Sequence, residues 1–215
     1  MDQIRKKRVV PVAVIDNLDN AVPLAEALIA GGLEVIEITF RTTLAEMAIR
    51  NITSAFPSML VGAGTVLDAD QLKRAKDAGA RFAVAPGVNE KVVKASWEMG
   101  LTFIPGVMTP SDVERAFGLG CKLQKFFPAE MAGGVPMLEA LAGPYGHTGV
   151  KFIPLGGVSP KNAAEYLALP IVAAVGGSWL CDRKLIAEKN WKTITALTVE
   201  ALKIAESATK QLPRS

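Results

Sequence analysis

The sequence predicts an α/β protein in which one parallel (β/α)₈ barrel, a TIM barrel, spans residues 1–215 as a single domain. First, short apolar segments alternate with helix-like segments along the whole chain, without a linker or a shift in composition. Second, eight such apolar segments occur, which is the number of strands in this barrel. Third, the turn at residues 16–19 has no glycine, whereas an open sheet that binds dinucleotides is expected to carry a glycine-rich turn after its first strand.

The predicted strands are short apolar runs, as expected where both faces of a parallel sheet are covered. In chain order they span residues 9–15, 35–40, 60–65, 82–86, 102–107, 122–127, 151–155 and 173–177.

The predicted helices follow these strands and carry sequence signals at their ends. Among them are residues 18–30, 69–78, 90–99 and about 187–212. Thr109-Pro110 and Ser159-Pro160 each place a capping hydroxyl before a proline that suits the first helical position. Helix ends are indicated by Gly31, Gly32, Gly79, Gly100 and Gly118.

Composition and charge exclude several classes of protein. Hydrophobic residues make up 50% of the chain, yet no run approaches the roughly 18 apolar residues of a membrane span. The net charge is +3, and the one basic cluster, residues 5–8, is typical of a solvated N-terminal turn, so no nucleic-acid partner is predicted. Cys121 and Cys181 lack metal-ligand spacing, no signal peptide is recognisable, and a cytoplasmic protein is expected.

Charged residues interrupt the second predicted strand, where a covered strand should have none. Glu37, Thr39 and Arg41 share one face by the two-residue period of a strand, and Ile36 and Ile38 share the other face. The apolar face suits packing against the outer helices. The polar face is therefore predicted to point into the barrel.

Lys125 interrupts the sixth predicted strand in the same way, near its carboxyl end, where the active sites of these barrels lie. One explanation is a structural ion pair with Glu37, although such buried pairs contribute little net stability. The other is catalytic. Burial beside Phe126 and Phe127 favours the neutral amine, a nucleophile, and a nearby carboxylate can move protons during carbinolamine and enamine chemistry.

Two glycine-containing turns follow the last two predicted strands, at Gly156-Gly157 and Gly176-Gly177-Ser178. Glycine lets backbone N–H groups approach an anion closely. Because the loops after strands seven and eight recurrently bind phosphate in this architecture, a phosphate or carboxylate site is predicted there.

These residues resemble the bacterial 2-keto-3-deoxy-6-phosphogluconate (KDPG) and 4-hydroxy-2-oxoglutarate (KHG) aldolases over roughly residues 9–180. The segments that carry the resemblance are VVPV at 9–12, GG at 31–32, EITFRT at 37–42, VGAGTV at 61–66, APG at 85–87, IPGV at 104–107, KFFPAE at 125–130 and GGSW at 176–179.

The resemblance implies a class I aldolase that cleaves KDPG, and KHG as well, to pyruvate and an aldehyde, glyceraldehyde 3-phosphate or glyoxylate. It implies that Lys125 forms the Schiff base and that Glu37 is the general acid/base. The implied substrate-binding residues are Arg41 and Thr65 for the pyruvate carboxylate, and Gly156, Gly157 and Ser178 for the phosphate. A homotrimer without a metal or an organic cofactor is also implied.

The chain departs from this family at two positions. The family usually ends its seventh strand with Pro-Thr-Gly-Gly, whereas Leu155 stands here in place of the threonine, which puts the aldehyde specificity in question. Many members also carry a basic residue near the carboxyl end of the first strand, where this chain has Asp16. Two alternatives stay open: a phosphate-binding barrel isomerase or epimerase, and a non-catalytic trimeric barrel.

Overall fold

The computed structural model describes residues 1–210, in which every strand of the sheet runs parallel to its neighbours. The strands are β1 (Val9–Ala13), β2 (Val35–Thr39), β3 (Leu60–Gly64), β4 (Phe82–Val84), β5 (Thr102–Ile104), β6 (Gly106–Val107), β7 (Leu123–Phe126), β8 (Lys151–Pro154) and β9 (Val175–Gly177). All eight predicted strands are present with shorter bounds, and the fifth is divided into β5 and β6.

The strands form a closed ring. Six of them pair in the order β5-β4-β3-β2-β1-β9, and the other three pair in the order β6-β7-β8. Pro105 separates β5 from β6, and its carbonyl still accepts from Lys125 N–H at 2.8 Å. At the other seam, Phe152 of β8 forms a parallel bridge with Val172, just before β9. The predicted (β/α)₈ barrel is therefore confirmed.

Helices surround this ring. They are α1 (Asp2–Lys7), α2 (Ala21–Ala30), α3 (Ala45–Ala55), α4 (Ala69–Asp77), α5 (Glu90–Glu98), α6 (Pro110–Gly118), α7 (Gly134–Tyr145), α8 (Ala163–Leu167), α9 (Arg183–Ala187) and α10 (Trp191–Lys210). Within residues 1–210, none of them is long and apolar enough to cross a lipid bilayer.

Several predicted helix ends need correction. Residues 18–30 begin with a 3₁₀ turn, and the α-helix starts only at Ala21. Thr109 caps α6 as predicted, in a capping box with Asp112, but Ser159-Pro160 precedes a turn and α8 starts only at Ala163. After α6 the left-handed backbone conformation belongs to Gly120, not to Gly118.

The predicted last helix, about residues 187–212, begins later than expected, at Trp191. Helix α9 ends at Ala187, and Lys189 has a positive φ of 54°, which a continuous α-helix does not allow. Helix α10 then buries one side against the barrel, at Ile194, Thr198, Ala201, Ala205 and Ala208. The predicted end at Leu212 lies outside the described residues.

The N-terminal basic cluster is only partly the solvated turn that the sequence predicts. Arg5 and Lys6 are exposed, but they belong to the helix α1, whose Ile4 is fully buried. Arg8, the residue after this helix, is buried, and its guanidinium donates to the carbonyl oxygens of Leu167 and Val172, each at 2.9 Å. A charge pattern cannot show that these carbonyls, at the end of α8 and just before β9, accept from Arg8.

Candidate active site

Lys125 and Glu37 meet inside the barrel. They lie on β7 and β2, the sixth and second of the eight strand positions, which face each other across the ring. The Lys125 Nζ atom lies 3.9 Å from Glu37 Oε1, and the two residues are 6% and 1% exposed. The inward direction that strand periodicity predicted for Glu37 is therefore confirmed, and Lys125 meets it from the opposite strand.

Burial raises the pKa of the Glu37 carboxyl above its ordinary value, and the positive charges of Lys125 and Arg41 oppose this shift without cancelling it. Within the described chain, Glu37 Oε1 accepts no hydrogen bond. A carboxyl group in this state exchanges protons closer to neutral pH than an exposed glutamate does, which suits a general acid/base.

Glycine makes room for the carboxylate. A Cβ atom on Gly64, the last residue of β3, would lie 2.1 Å from Glu37 Oε1. No side chain fits in that space, so the GAGT segment of β3 lets Glu37 occupy the centre of the barrel. Gly64 directly precedes Thr65, so this contact also places Glu37 near the segment that carries Thr65.

Lys125 and Glu37 line a small interior cavity whose other walls are apolar. These walls are Ile4, Val10, Phe82, Val84, Ile104, Ile153 and Leu155. An apolar surrounding weakens dielectric screening, so the charges act strongly on each other and on any bound group. Ile4 comes from α1, so the helix that the sequence analysis missed forms part of the cavity wall.

The end of the Lys125 side chain also lies over an aromatic ring. Its Nζ atom is 5.0 Å from the centroid of Phe127, whereas Phe126 is fully buried and packs edge-on against Phe152. The two neighbouring phenylalanines therefore have different tasks. Phe127 contacts the lysine, and Phe126 holds β7 in the core.

Leu155, which stands in place of the family's threonine, is buried. It is 9% exposed and lines the interior cavity together with Lys125 and Glu37. A Cβ atom on Gly176 would lie 2.3 Å from Leu155 Cδ1, so this leucine also packs against β9.

Arg41 and Thr65 follow the carboxyl ends of β2 and β3. Arg41 is exposed, and its Nε donates to Thr39 Oγ1 at 3.3 Å. Thr65 has a φ of 57°, a left-handed conformation that is costly for a β-branched residue. Backbone strain of this kind is concentrated at functional sites. The positive φ of Thr65 is therefore a structural indication of function that the sequence alone does not provide.

In the loop after β8, two backbone N–H groups have no hydrogen-bond acceptor among the described residues. Ala129 N–H donates to Leu155 O at 2.7 Å, and Glu130 N–H donates to Gly156 O at 3.0 Å. The N–H groups of Gly156 and Gly157 donate to no acceptor among the described residues. Both glycines have positive φ, 96° and 85°. Two backbone N–H groups are thus free, while the carbonyl oxygens of Leu155 and Gly156 accept hydrogen bonds from the protein. This arrangement is suited to binding an anion.

The loop after β9 provides a second set of donors. Ser178 is exposed and precedes the 3₁₀ turn Trp179–Cys181, and the N–H groups of Ser178 and Trp179 have no acceptor within residues 1–210. The ring of Trp179 covers Gly177, where a Cβ atom would lie 1.7 Å from it. The leucine contact with Gly176 brings the two loops side by side.

Asp16 and Arg183 form an ion pair near the carboxyl end of β1. Asp16, which replaces the expected basic residue, accepts from Arg183 Nε at 2.9 Å and from its Nη2 at 2.6 Å. The positive charge at this edge therefore comes from the segment after β9. Sequence reasoning missed Arg183, because only the fold brings positions 16 and 183 together.

No cluster of three or more His, Cys, Asp or Glu side chains that could hold a metal ion occurs among residues 1–210. Cys121 and Cys181 are buried free thiols, and burial raises the pKa of each, that of Cys121 to about 11. The groups available for chemistry at the centre of the barrel are thus an amine and a carboxyl.

Comparison with known proteins shows the family to which the chain is similar. Residues 1–197 match the family model for KDPG and KHG aldolase. The KHG/KDPG aldolase of Escherichia coli strain K12 is 46% identical over 198 residues, which cover 92% of each chain.

Two solved structures are similar along nearly the whole chain. One is the KDPG aldolase of Legionella pneumophila with pyruvate captured at low pH as a covalent carbinolamine intermediate. It is 44% identical with a TM-score of 0.89, over 93% of this chain and 96% of that one. The other is the KDPG aldolase of Zymomonas mobilis ZM4 with 3-phosphoglycerate, which is 40% identical with a TM-score of 0.85, over 94% of each chain.

The predicted enzyme class, an aldolase and therefore a lyase, is confirmed by these relatives. The alternatives of an isomerase or epimerase and of a non-catalytic trimeric barrel gain no support from them. With a family model over residues 1–197 and relatives of 40–46% identity, the chain belongs to the KDPG and KHG aldolase family.

Proposed function

We propose that this protein is a class I aldolase that reversibly cleaves KDPG to pyruvate and glyceraldehyde 3-phosphate through a Schiff base on Lys125. The observation that carries the proposal is the buried Lys125–Glu37 pair, 3.9 Å apart in an otherwise apolar cavity. The carbinolamine in the Legionella relative supports it, because a carbinolamine is the product of amine addition to the pyruvate carbonyl.

In the cleavage direction, the neutral Lys125 amine attacks the C2 carbonyl of KDPG. The resulting carbinolamine loses water to give the protonated Schiff base. Glu37 takes the proton from the C4 hydroxyl, the C3–C4 bond breaks, and its electron pair moves into an enamine while the aldehyde leaves. Glu37 then returns this proton to C3 of the enamine, and water hydrolyses the resulting Schiff base to release pyruvate and the free lysine.

The two ends of the substrate have separate binding groups in this proposal. Arg41 and Thr65 hold the pyruvate carboxylate at the carboxyl ends of β2 and β3. The backbone N–H groups of Gly156 and Gly157, together with Ser178, hold the phosphate. The free donors in both loops support this assignment, and so does the phosphorylated ligand of the Zymomonas relative.

We infer that KHG is a second substrate, with glyoxylate as its aldehyde product. The name of the Escherichia coli relative includes this activity. An apolar Leu155 beside the reacting groups offers no hydrogen bond to a substrate hydroxyl, which favours tolerance of different aldehydes. The homotrimer and the cytoplasmic location stay predictions.

The proposal is tested by adding purified protein to KDPG and measuring pyruvate with lactate dehydrogenase and glyceraldehyde 3-phosphate with its dehydrogenase. Wild type and Lys122→Arg, a control at the exposed residue before β7, should form both products at equal rates. Lys125→Arg should form neither. Isomerisation of a sugar phosphate without pyruvate, or full activity in Lys125→Arg, would contradict the proposal.

A further inference from the structure

Glu130, the last residue of the KFFPAE segment, has no part in the proposed chemistry, yet it contacts the loop after β8 twice. Its backbone N–H donates to Gly156 O at 3.0 Å. Its side-chain stem packs directly against Gly157, where a Cβ atom would lie 2.4 Å from Glu130 Cγ. The residue therefore contacts both glycines, and its bond to Gly156 O fixes the N–H direction of Gly157.

Tyr166 of α8 holds the end of the Glu130 side chain. The tyrosine hydroxyl donates a hydrogen bond to Glu130 Oε1, and the residue is fully buried. Burial and this hydrogen bond raise the pKa of Tyr166, so the hydroxyl stays protonated and keeps donating at neutral pH. This hydrogen bond restricts the rotation of the exposed Glu130 side chain.

Asn162 completes the support of the loop. Its Nδ2 donates to Gly157 O at 3.2 Å, and its Oδ1 accepts from Ser159 N–H at 2.8 Å. The carbonyl groups of residues 155, 156 and 157 are consequently all occupied by protein donors. Because the peptide unit is planar, the bonds to Leu155 O and Gly156 O fix the N–H directions of Gly156 and Gly157. The Asn162 bond to Gly157 O holds the next peptide group and so anchors the end of this turn.

We propose that Glu130, Asn162 and Tyr166, called here the loop frame, are positioning residues that aim the N–H groups of Gly156 and Gly157 at the phosphate of the substrate. The inference rests on the proposed function, since it assumes that this loop binds phosphate. It assigns the loop frame to affinity for the phosphorylated half and not to the lysine chemistry.

The test uses steady-state kinetics on the full-length variants Glu130→Ala, Glu130→Gln and Asn162→Ala. The alanine variants should raise KM for KDPG and weaken inhibition by inorganic phosphate, each about tenfold, on the order of one hydrogen bond. Their kcat and their rate of borohydride trapping with pyruvate should not change. Glu130→Gln keeps an acceptor for Tyr166 and should behave like wild type.

Asn89→Ala is the matched control. Asn89 begins α5 with the same pair of contacts, since its Oδ1 accepts from Lys91 N–H at 3.1 Å and its Nδ2 donates to Leu67 O at 3.3 Å, after β3. The control should lose comparable stability without a change in phosphate inhibition. If Glu130→Ala does not fold, Tyr166→Phe removes only the hydroxyl and should raise KM for KDPG in its place.

Ser178→Ala separates a failure of this inference from a failure of the proposed phosphate site. The inference is overturned if Ser178→Ala raises KM while the loop-frame variants do not, or if those variants lower kcat and pyruvate trapping equally. It is also overturned if Glu130→Gln is as impaired as Glu130→Ala. If neither Ser178→Ala nor the loop-frame variants alter KM or phosphate inhibition, the phosphate site itself is wrong.

Discussion

Two regions of the barrel bind and react by different physical means. In the interior, between the opposite strands β2 and β7, the functional groups are charged side chains on strands, buried in an apolar cavity. On the β8–β9 side, they are backbone N–H groups of loops, and the exposed Ser178 hydroxyl lies among them. A buried charge acts strongly because water does not screen it, whereas an exposed donor competes with water.

This difference separates chemistry from binding. Substitutions of the buried pair between β2 and β7 should change kcat by large factors, because they remove a reacting group. Substitutions on the β8–β9 side should change KM by smaller factors, because each removes or misdirects one hydrogen bond. The following variants test that division, beginning with the largest effect.

Glu37→Gln should lower kcat for KDPG by roughly 10²-fold or more, since the amide cannot transfer the proton. Its shape is nearly the same, so the fold should persist. Glu34→Gln, at the carboxylate just before β2, is the control and should keep full activity. A change confined to KM would show that Glu37 positions the substrate and transfers no proton.

The pH dependence of kcat/KM should report the raised pKa of Glu37. Burial makes its protonated form persist above the ordinary value of 4.5. The ionised form accepts the hydroxyl proton, so activity should fall with decreasing pH along a limb that lies above pH 4.5. This limb should be absent in Glu37→Gln. A wild-type limb at or below the ordinary value would show that the carboxyl is not desolvated during catalysis.

Leu155→Thr should raise kcat/KM for KDPG by about tenfold relative to KHG, because a threonine hydroxyl inside the cavity can bind a substrate hydroxyl. Borohydride trapping of pyruvate alone should not change. Ile153→Val, elsewhere in the same cavity wall, controls for the loss of packing. An unchanged ratio of the two efficiencies would mean that Leu155 serves only to pack against Gly176.

Thr65→Gly should raise the free energy of unfolding by about 1 kcal/mol, because glycine adopts the left-handed conformation without strain. The same change should raise the pyruvate concentration needed for half-maximal trapping, since the hydroxyl is lost. Lys189→Gly is the matched control, with a φ of 54° far from the site, and should affect stability alone. Unaltered trapping in Thr65→Gly would remove Thr65 from the carboxylate site.

The sequence predicted the barrel and its strands well, because apolar runs and glycine helix ends are local signals. It failed where a tertiary contact decides the structure. Residues 5–8 carry a solvated charge pattern, yet Arg8 is buried by carbonyl acceptors from distant segments. In the same way, nothing local in the sequence indicates the break at Lys189 within the predicted last helix.

The candidate site shows the same limit. Glu37 and Lys125 were predictable because a charge inside an apolar strand is conspicuous, and strand periodicity fixed their direction. The glycines after β8 were predictable as a class of turn. Their N–H direction was not, since it depends on the backbone donors of Ala129 and Glu130, which lie in another segment.

The most direct test of the account is to treat the protein with pyruvate and sodium borohydride and to map the modified peptide by mass spectrometry. We expect the reduced pyruvate adduct on Lys125 and on no other lysine, and no adduct in Lys125→Ala, which should also be inactive. An adduct on another lysine, or an unmodified Lys125 with full aldolase activity retained in Lys125→Ala, would contradict the proposed mechanism.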